Sequence, residues 1–93
     1  MDNISVFELK ELLDKKADFQ FLDIRESHMY EFSHIPGAQS HPRFLIRRGN
    51  FKDLDKEKQT VIYCLSNINC PEIREIMRKN GYKNIRCLVK VIV

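Results

Sequence analysis

The sequence predicts a small α/β domain: an open parallel sheet of four to five strands, helices on both of its faces, and one domain over residues 1–93. Three apolar runs carry that expectation. Residues 19–25 (FQFLDIR), 60–63 (TVIY) and 85–89 (IRCLV) are short, rich in β-branched or aromatic residues and bounded by polar segments, as strands covered on both faces are. Stretches of helical periodicity separate them. Strands alternating with helices give a parallel sheet joined by right-handed crossovers.

Taken in order, the chain opens on a capping box, in which Ser5 accepts from the N–H of Glu8 and the Glu8 side chain returns to Ser5. Phe7, Leu9, Leu12 and Leu13 are mostly at helical spacing, which predicts a helix over residues 6–15, with Lys15 and Lys16 complementing the dipole in its last turn. Ala17 and Asp18 turn the chain into the first central strand, and residues 26–32 form a short helix. Pro36-Gly37 marks a turn in which glycine supplies the positive φ of type II. A short strand follows at 38–40. Residues 41–50, with Arg43, Arg47 and Arg48 beside Phe44, Leu45 and Ile46, make a short helix or turn. Residues 51–58, polar apart from Phe51 and Leu54, lead into the strand at Thr60. Pro71 suits the first position of the next helix, where a missing N–H costs nothing. Ile73, Ile76 and Met77 share one face of that helix, and Asn80-Gly81 stops it. The last strand starts at Ile85 and runs to Val89 or on through Val93.

Composition narrows the classes of function. A chain of 93 residues allows one small core. A net charge of +3 is too small to imply nucleic-acid binding by itself and mildly favours anionic ligands. No apolar run reaches the length of a membrane span, and no amino-terminal segment has the charged-apolar-small pattern of a signal peptide. Three widely spaced cysteines are no disulfide framework. The expected setting is therefore cytoplasmic with reduced thiols, without nucleic-acid or membrane partners. His28, His34 and His41 with the cysteines lack zinc-ligand spacing, so neither a metal nor a cofactor is expected. None of these features speaks to the oligomeric state.

Cys64 is the strongest functional signal. It ends the run 60–63 and is followed by a short polar loop and the helix that carries Pro71. In open α/β sheets ligands bind at the carboxyl ends of strands, and the amino end of a helix stabilises a thiolate. A small buried hydrophobe would occupy the same place.

Three separated segments resemble one family. Residues 21–26 (FLDIRE), followed by Glu31 and by residues 34–38 (HIPGA), resemble the first signature of rhodanese-like sulfurtransferase domains. Residues 61–64 (VIYC) match that family's strand into its catalytic cysteine, and residues 80–85 (NGYKNI) resemble the run before its last strand. The resemblance implies that Cys64 accepts a sulfane sulfur from a small donor as a persulfide and passes it to a thiol or protein acceptor. It implies that Leu65, Ser66, Asn67, Ile68 and Asn69 form a cradle whose N–H groups point at the sulfur. Cys70 stands where the family has Ser or Thr, which reads as an N-cap or packing residue, with a resolving thiol as the other option. Asp23, Arg25, Glu31 and His34 read as a network bracing the site, Cys87 as core, and Arg43, Arg47 and Arg48 as a solvated face or an aid to an anionic donor.

The departures bear on activity. Asn67 replaces the family's loop glycine, which its tolerance of positive φ permits. Asn69 replaces the loop arginine and removes a permanent cation. Residues 89–93 (VKVIV) replace a Gly-Gly pair and a final helix, so the carboxyl end is atypical and one flank of the pocket is absent or supplied by another chain. Two functions follow: a sulfurtransferase working through a Cys64 persulfide, or a catalytically weak rhodanese-like domain serving as a binding or regulatory module. Phosphatase or arsenate-reductase chemistry ranks below both, because its loop needs one more residue and a closing arginine.

Overall fold

The computed structural model describes residues 3–64 and 69–88. Five strands, β1 (Asn3–Ile4), β2 (Gln20–Asp23), β3 (Gln39–Ser40), β4 (Thr60–Tyr63) and β5 (Ile85–Leu88), form one sheet in the order β1-β5-β4-β2-β3. Every pairing is parallel. The connecting helices are α1 (Val6–Asp14), α2 (Ser27–Phe32), α3 (Arg43–Arg47) and α4 (Asn69–Lys79).

Alternation along the strands divides the core in two. Leu22 and Ile24, Ile62 and Cys64, and Ile85 and Cys87 share one face, where Ile46 of α3 and Cys70, Ile73 and Met77 of α4 cover them. Phe21, Val61 and Leu88 share the other face with Ile4, under Leu9, Leu12 and Leu13 of α1 and Tyr30 of α2. The central strands are buried on both sides, which is why they read as unbroken apolar runs. Gln20, a polar residue in that core, is satisfied: its amide donates to the Asp55 carbonyl (2.8 Å) and to Thr60 Oγ1 (2.9 Å), and accepts from the Asp55 N–H (2.7 Å). It thereby ties the segment between α3 and β4 to the sheet.

Local signals read from the sequence act as expected at several points. The Ser5–Glu8 capping box is closed in both directions, at 3.1 and 3.0 Å. Gly37 has φ +94° and the Ala38 N–H reaches the Ile35 carbonyl at 3.0 Å, the bond that closes a turn through Pro36 and Gly37. Gly81, at φ +98°, ends α4. Other points differ. β1 has no signal in the sequence: two residues carry no periodicity, and only the presence of β5 makes Ile4 a strand residue. Phe7 is 80 % exposed, because α1 buries the stripe through Leu9 and not the position two before it. Lys15 is the C-cap of α1, beyond its last turn. α4 begins at Asn69 and not at Pro71. A proline in the third position is still within the turn whose N–H groups lack intrahelical partners, so it does not set the start. The extension of the last strand through Val89 to Val93 lies outside the described residues.

The capping box gives the first prediction. Ser5→Ala should lower stability by about 1 kcal/mol, read as a shifted urea midpoint with unchanged slope. Hydrogen bonding to the Ser5 backbone, then to its side chain, holds the Glu8 carboxyl below its ordinary 4.5. Its share of the cap is therefore complete above that value and lost as the pH falls through the lowered one.

Candidate active site

β2 and β4 are neighbours, yet the helices that follow them go to opposite faces: Tyr30 of α2 packs against one core cluster, Cys70, Ile73 and Met77 of α4 belong to the other. The chain parts between the carboxyl ends of these two strands. In open α/β sheets that is where a crevice forms. β2 brings Asp23 and, two residues on, Arg25 to this point, and β4 brings Tyr63 and Cys64.

Asp23 is fully buried and paired with Arg25. The guanidinium donates through Nε to Oδ1 (2.9 Å) and through Nη2 to Oδ2 (2.7 Å), and the Arg25 backbone N–H adds a bond to Oδ1 at 3.0 Å. Nη2 also donates to the Ser33 carbonyl at 2.7 Å, and the guanidinium lies 5.4 Å from the centroid of the Tyr63 ring. Hydrogen bonding to Asp23 raises the Arg25 pKa first; burial opposes it, and charge on Asp23, Tyr63 and Cys64 adds to it. Arg25 is thus a permanent cation close enough to Cys64 to interact with charge there. A cavity of about 350 Å³ opens beside it, lined by Arg25, Ser33, His34, Ile35, Pro36 and Tyr63. His34 is exposed, stacked on Tyr30 with centroids 3.8 Å apart, and its Nδ1 meets the Tyr30 carbonyl at 2.9 Å. Glu31 stays apart from the Asp23–Arg25 pair: it is exposed on α2 and makes no hydrogen bond or ion pair with the described residues.

Cys64 follows β4 directly and is buried on the α3–α4 side of the sheet. Leu65, Ser66, Asn67 and Ile68, the expected cradle, lie outside the described residues. Asn69, half-buried, and Cys70, buried, open α4. Cys70 therefore sits inside the first turn instead of capping it; burial against the sheet draws it into the core cluster that holds Cys64 and Cys87. Hydrogen bonding toward Cys64 first, then toward Cys87, pushes the Cys70 thiol pKa up, with burial adding to it. Also from α4, Arg74 Nη1 donates to Cys87 Sγ at 3.2 Å. Among the described residues no group of three or more His, Cys, Asp or Glu side chains is arranged to hold a metal ion.

The sequence alone places neither Cys87 in the cluster that holds Cys64 nor Arg74 against Cys87. Parallel pairing of β4 with β5 brings Cys87 there, and that strand order is not written in either strand. Arg74 carried a signal, since it is four residues after Cys70 on one helical face. Arg43 and Arg47 line a second cavity, of about 210 Å³, with Glu26, Pro42 and Phe44, and Arg47 Nη2 bonds Glu72 Oε1 at 2.6 Å, tying α3 to the first turn of α4. Among the described residues no helix is long and apolar enough to cross a membrane.

Comparison with known proteins agrees with this architecture. A family model described as rhodanese-like domain matches residues 5–90. Among curated proteins, the tRNA uridine(34) hydroxylase of Erwinia tasmaniensis is 33 % identical over 70 residues, which are 70 % of this chain and 20 % of that protein. Its Yersinia enterocolitica counterpart is 33 % identical over 73 residues, covering 73 % of this chain and 21 % of its own length. The chain thus spans about a fifth of the curated relatives it matches. Among solved structures, the human single-domain sulfurtransferase superposes with a TM-score of 0.80 at 19 % identity, covering 95 % of this chain and 88 % of the other. A Bacillus halodurans protein gives 0.83 at 24 % identity, covering 95 % and 66 %.

The buried pair generates a prediction of its own. Asp23→Ala leaves the Arg25 guanidinium in a desolvated site without its carboxylate, and should destabilise the fold by about 3–5 kcal/mol in urea titrations. A loss within the scatter of surface substitutions, about 0.5 kcal/mol, would show that the pair does not brace the strand ends.

Proposed function

The chain belongs to the rhodanese-like domain family, and from that premise we propose that it transfers sulfane sulfur through a persulfide on Cys64. A Cys64 thiolate attacks the outer sulfur of a donor such as thiosulfate. The donor's S–S bond breaks, sulfite leaves, and the terminal sulfur of the new persulfide carries the negative charge. A thiol, free or on a protein, then takes that sulfur and returns Cys64 to thiolate. The observation that carries this reading is the position of Cys64: at the carboxyl end of β4, beside the point where the chain parts, in one buried cluster with Cys70 and with the Arg25 cation near.

A second reading has its own support. With Asn69 in the place of the family's loop arginine, the domain lacks a cation there for anionic donors, which suits a binding or regulatory module. The tRNA hydroxylases are much longer proteins, and only the domain, not their RNA substrate, is carried over from them.

Intact mass after incubation with a sulfane-sulfur donor separates the two. A gain of one sulfur atom, mapped to Cys64 and absent from Cys64→Ser, is expected; an unmodified chain after both thiosulfate and a persulfide donor would leave the module reading.

The departure at Asn69 sets donor preference. A hydrogen bond to a charged partner contributes about 1.5–3 kcal/mol, so its loss weakens thiosulfate binding roughly ten- to a hundredfold. A low-molecular-weight persulfide needs less charge compensation and should be the better donor. Asn69→Arg should therefore raise the rate with thiosulfate more than the rate with a persulfide, measured side by side against a Cys64→Ser blank. Brisk wild-type turnover with thiosulfate would sink this expectation.

A further inference from the structure

The cavity on Cys64's own side of the sheet is not the one beside Arg25. Ile35 and Tyr63, which line the Arg25 cavity, pack with the α1–α2 cluster, whereas Cys64 is buried in the other, under α3 and α4. The second cavity, of about 210 Å³, is walled by α3, whose Ile46 belongs to the Cys64 cluster. Arg47, in the same wall, bonds Glu72 in the first turn of α4. This cavity also lies at the carboxyl end of the strands. Asp23 pairs with Tyr63, so one residue on Ile24 stands beside Cys64, and the Ile24 carbonyl in turn accepts from the Arg43 N–H at 3.0 Å. Cys64, Ile24 and Arg43 thus form a row. Two inter-strand spacings, about 10 Å, separate the backbone of the first from that of the last.

Two opposite charges face this cavity without using each other. Arg43 is half-buried and Glu26 exposed, and among the described residues neither side chain makes a hydrogen bond or ion pair. Arg47 differs, since Glu72 holds its guanidinium at 2.6 Å. Pro42 and the half-exposed Phe44 add an apolar wall. A guanidinium, a carboxylate and an aromatic ring around a small volume complement a molecule with a carboxylate and an ammonium on a short apolar stem. We propose that this cavity seats the α-amino-acid head of the sulfur donor, its carboxylate on Arg43, its ammonium on Glu26 and its methylene against Phe44. The donor class is then an α-amino-acid persulfide. This inference rests on the Cys64 persulfide proposed above.

Size and charge select together. A volume of about 210 Å³ is below the roughly 300–1,000 Å³ of sites that bury drug-sized ligands, and suits a head group of amino-acid size. Arg43 supplies a cation at the far end of the row from Cys64, which is where an amino-acid persulfide carries its carboxylate. Thiosulfate carries its charge beside the reacting sulfur, at the end where Asn69 has replaced an arginine, and has no cation to offer Glu26. With the head held, the Cys64 thiolate attacks the donor's outer sulfur and the S–S bond breaks. The outer sulfur passes over with its hydrogen, and the amino-acid thiolate leaves with the bonding pair. Free cysteine and the γ-glutamyl end of glutathione carry the same head, at different distances from the sulfur.

Binding and transfer are tested separately. S-methylcysteine, which has the head but no transferable sulfur, is titrated into the full Cys64→Ser chain and followed by amide NMR shifts. S-methylglutathione is the second source of the head; methylthiopropionate lacks the ammonium and S-methylcysteamine lacks the carboxylate. One or both head-bearing compounds should shift Glu26 and residues 42–47, and the tighter of the two names the source. Each truncated compound should bind about tenfold more weakly than S-methylcysteine. Arg43→Gln, which keeps the backbone bond to Ile24, should bring S-methylcysteine and S-methylcysteamine to within about twofold of each other. Glu26→Gln should do the same for S-methylcysteine and methylthiopropionate. In the wild-type chain, the initial rate of sulfur gain at Cys64 should favour cysteine persulfide over the persulfides of cysteamine and mercaptopropionate in the same order. Equal binding of all four compounds, or shifts confined to other parts of the chain, overturns the inference. Rapid sulfur gain without preference among the donors also overturns it, and leaves the Cys64 carrier intact. Selective binding in the cavity with no sulfur gain from any donor overturns the carrier reading alone and upholds the amino-acid site.

Discussion

The Asp23–Arg25 pair is the constraint to which the rest of the strand-end architecture answers. A carboxylate with no exposure cannot be left without a partner, and here a single side chain two residues away supplies a forked pair of bonds to it. Holding that fork fixes the path of the chain just after β2. The neighbouring backbone is engaged as well: the His41 N–H reaches the Asp23 carbonyl, the Arg43 N–H reaches the Ile24 carbonyl, and the Ile24 N–H reaches the Tyr63 carbonyl. The segments leading into α3, and the last residue of β4 before Cys64, are thus set by their bonds to one corner of β2. The same guanidinium holds Ser33 and lies over Tyr63, so the position of the nucleophile candidate and the wall of the neighbouring cavity have a common origin.

Much of this was legible in the sequence because the signals were local. β4 is the run of residues 60–63 as read, and β2 lies inside the run of residues 19–25, since strands buried on both faces declare themselves by composition. The capping box at Ser5 and the Pro36-Gly37 turn depend on a few neighbouring residues and a backbone angle. What escaped reading depends on partners distant in the chain. Asn3 and Ile4 become a strand only beside Cys87 and Leu88. The start of α4 moved two residues because tertiary burial of Cys70 outweighed the local hint of a proline.

The candidate site divides along the same line. Cys64 was found from its place at the end of an apolar run, and Asp23 with Arg25 from a motif of adjacent residues. Glu31 belonged to the same motif but is exposed, because it is Tyr30, one position before it on α2, that turns to the core cluster. Cys87 looked like ordinary core, which by burial it is. Its meeting with Cys64 and Cys70 follows from the order of strands, and no spacing within the sequence encodes that order directly.

The short strand β1 has a consequence for how the chain reaches its structure. Its register sets Ile4 against Leu88, so the first strand of the sheet can be laid down only on the last. A chain growing from its amino end would have α1, β2 and β4 available while β1 still had no neighbour to pair with. Contacts so far apart in sequence demand a large loss of loop entropy before they return anything, which slows folding relative to folds built from local contacts. The edge that β1 seals is therefore the last part of the sheet to acquire cooperativity. Until then β5 would stand as an open border of unpaired backbone, the feature by which partly made sheets find one another.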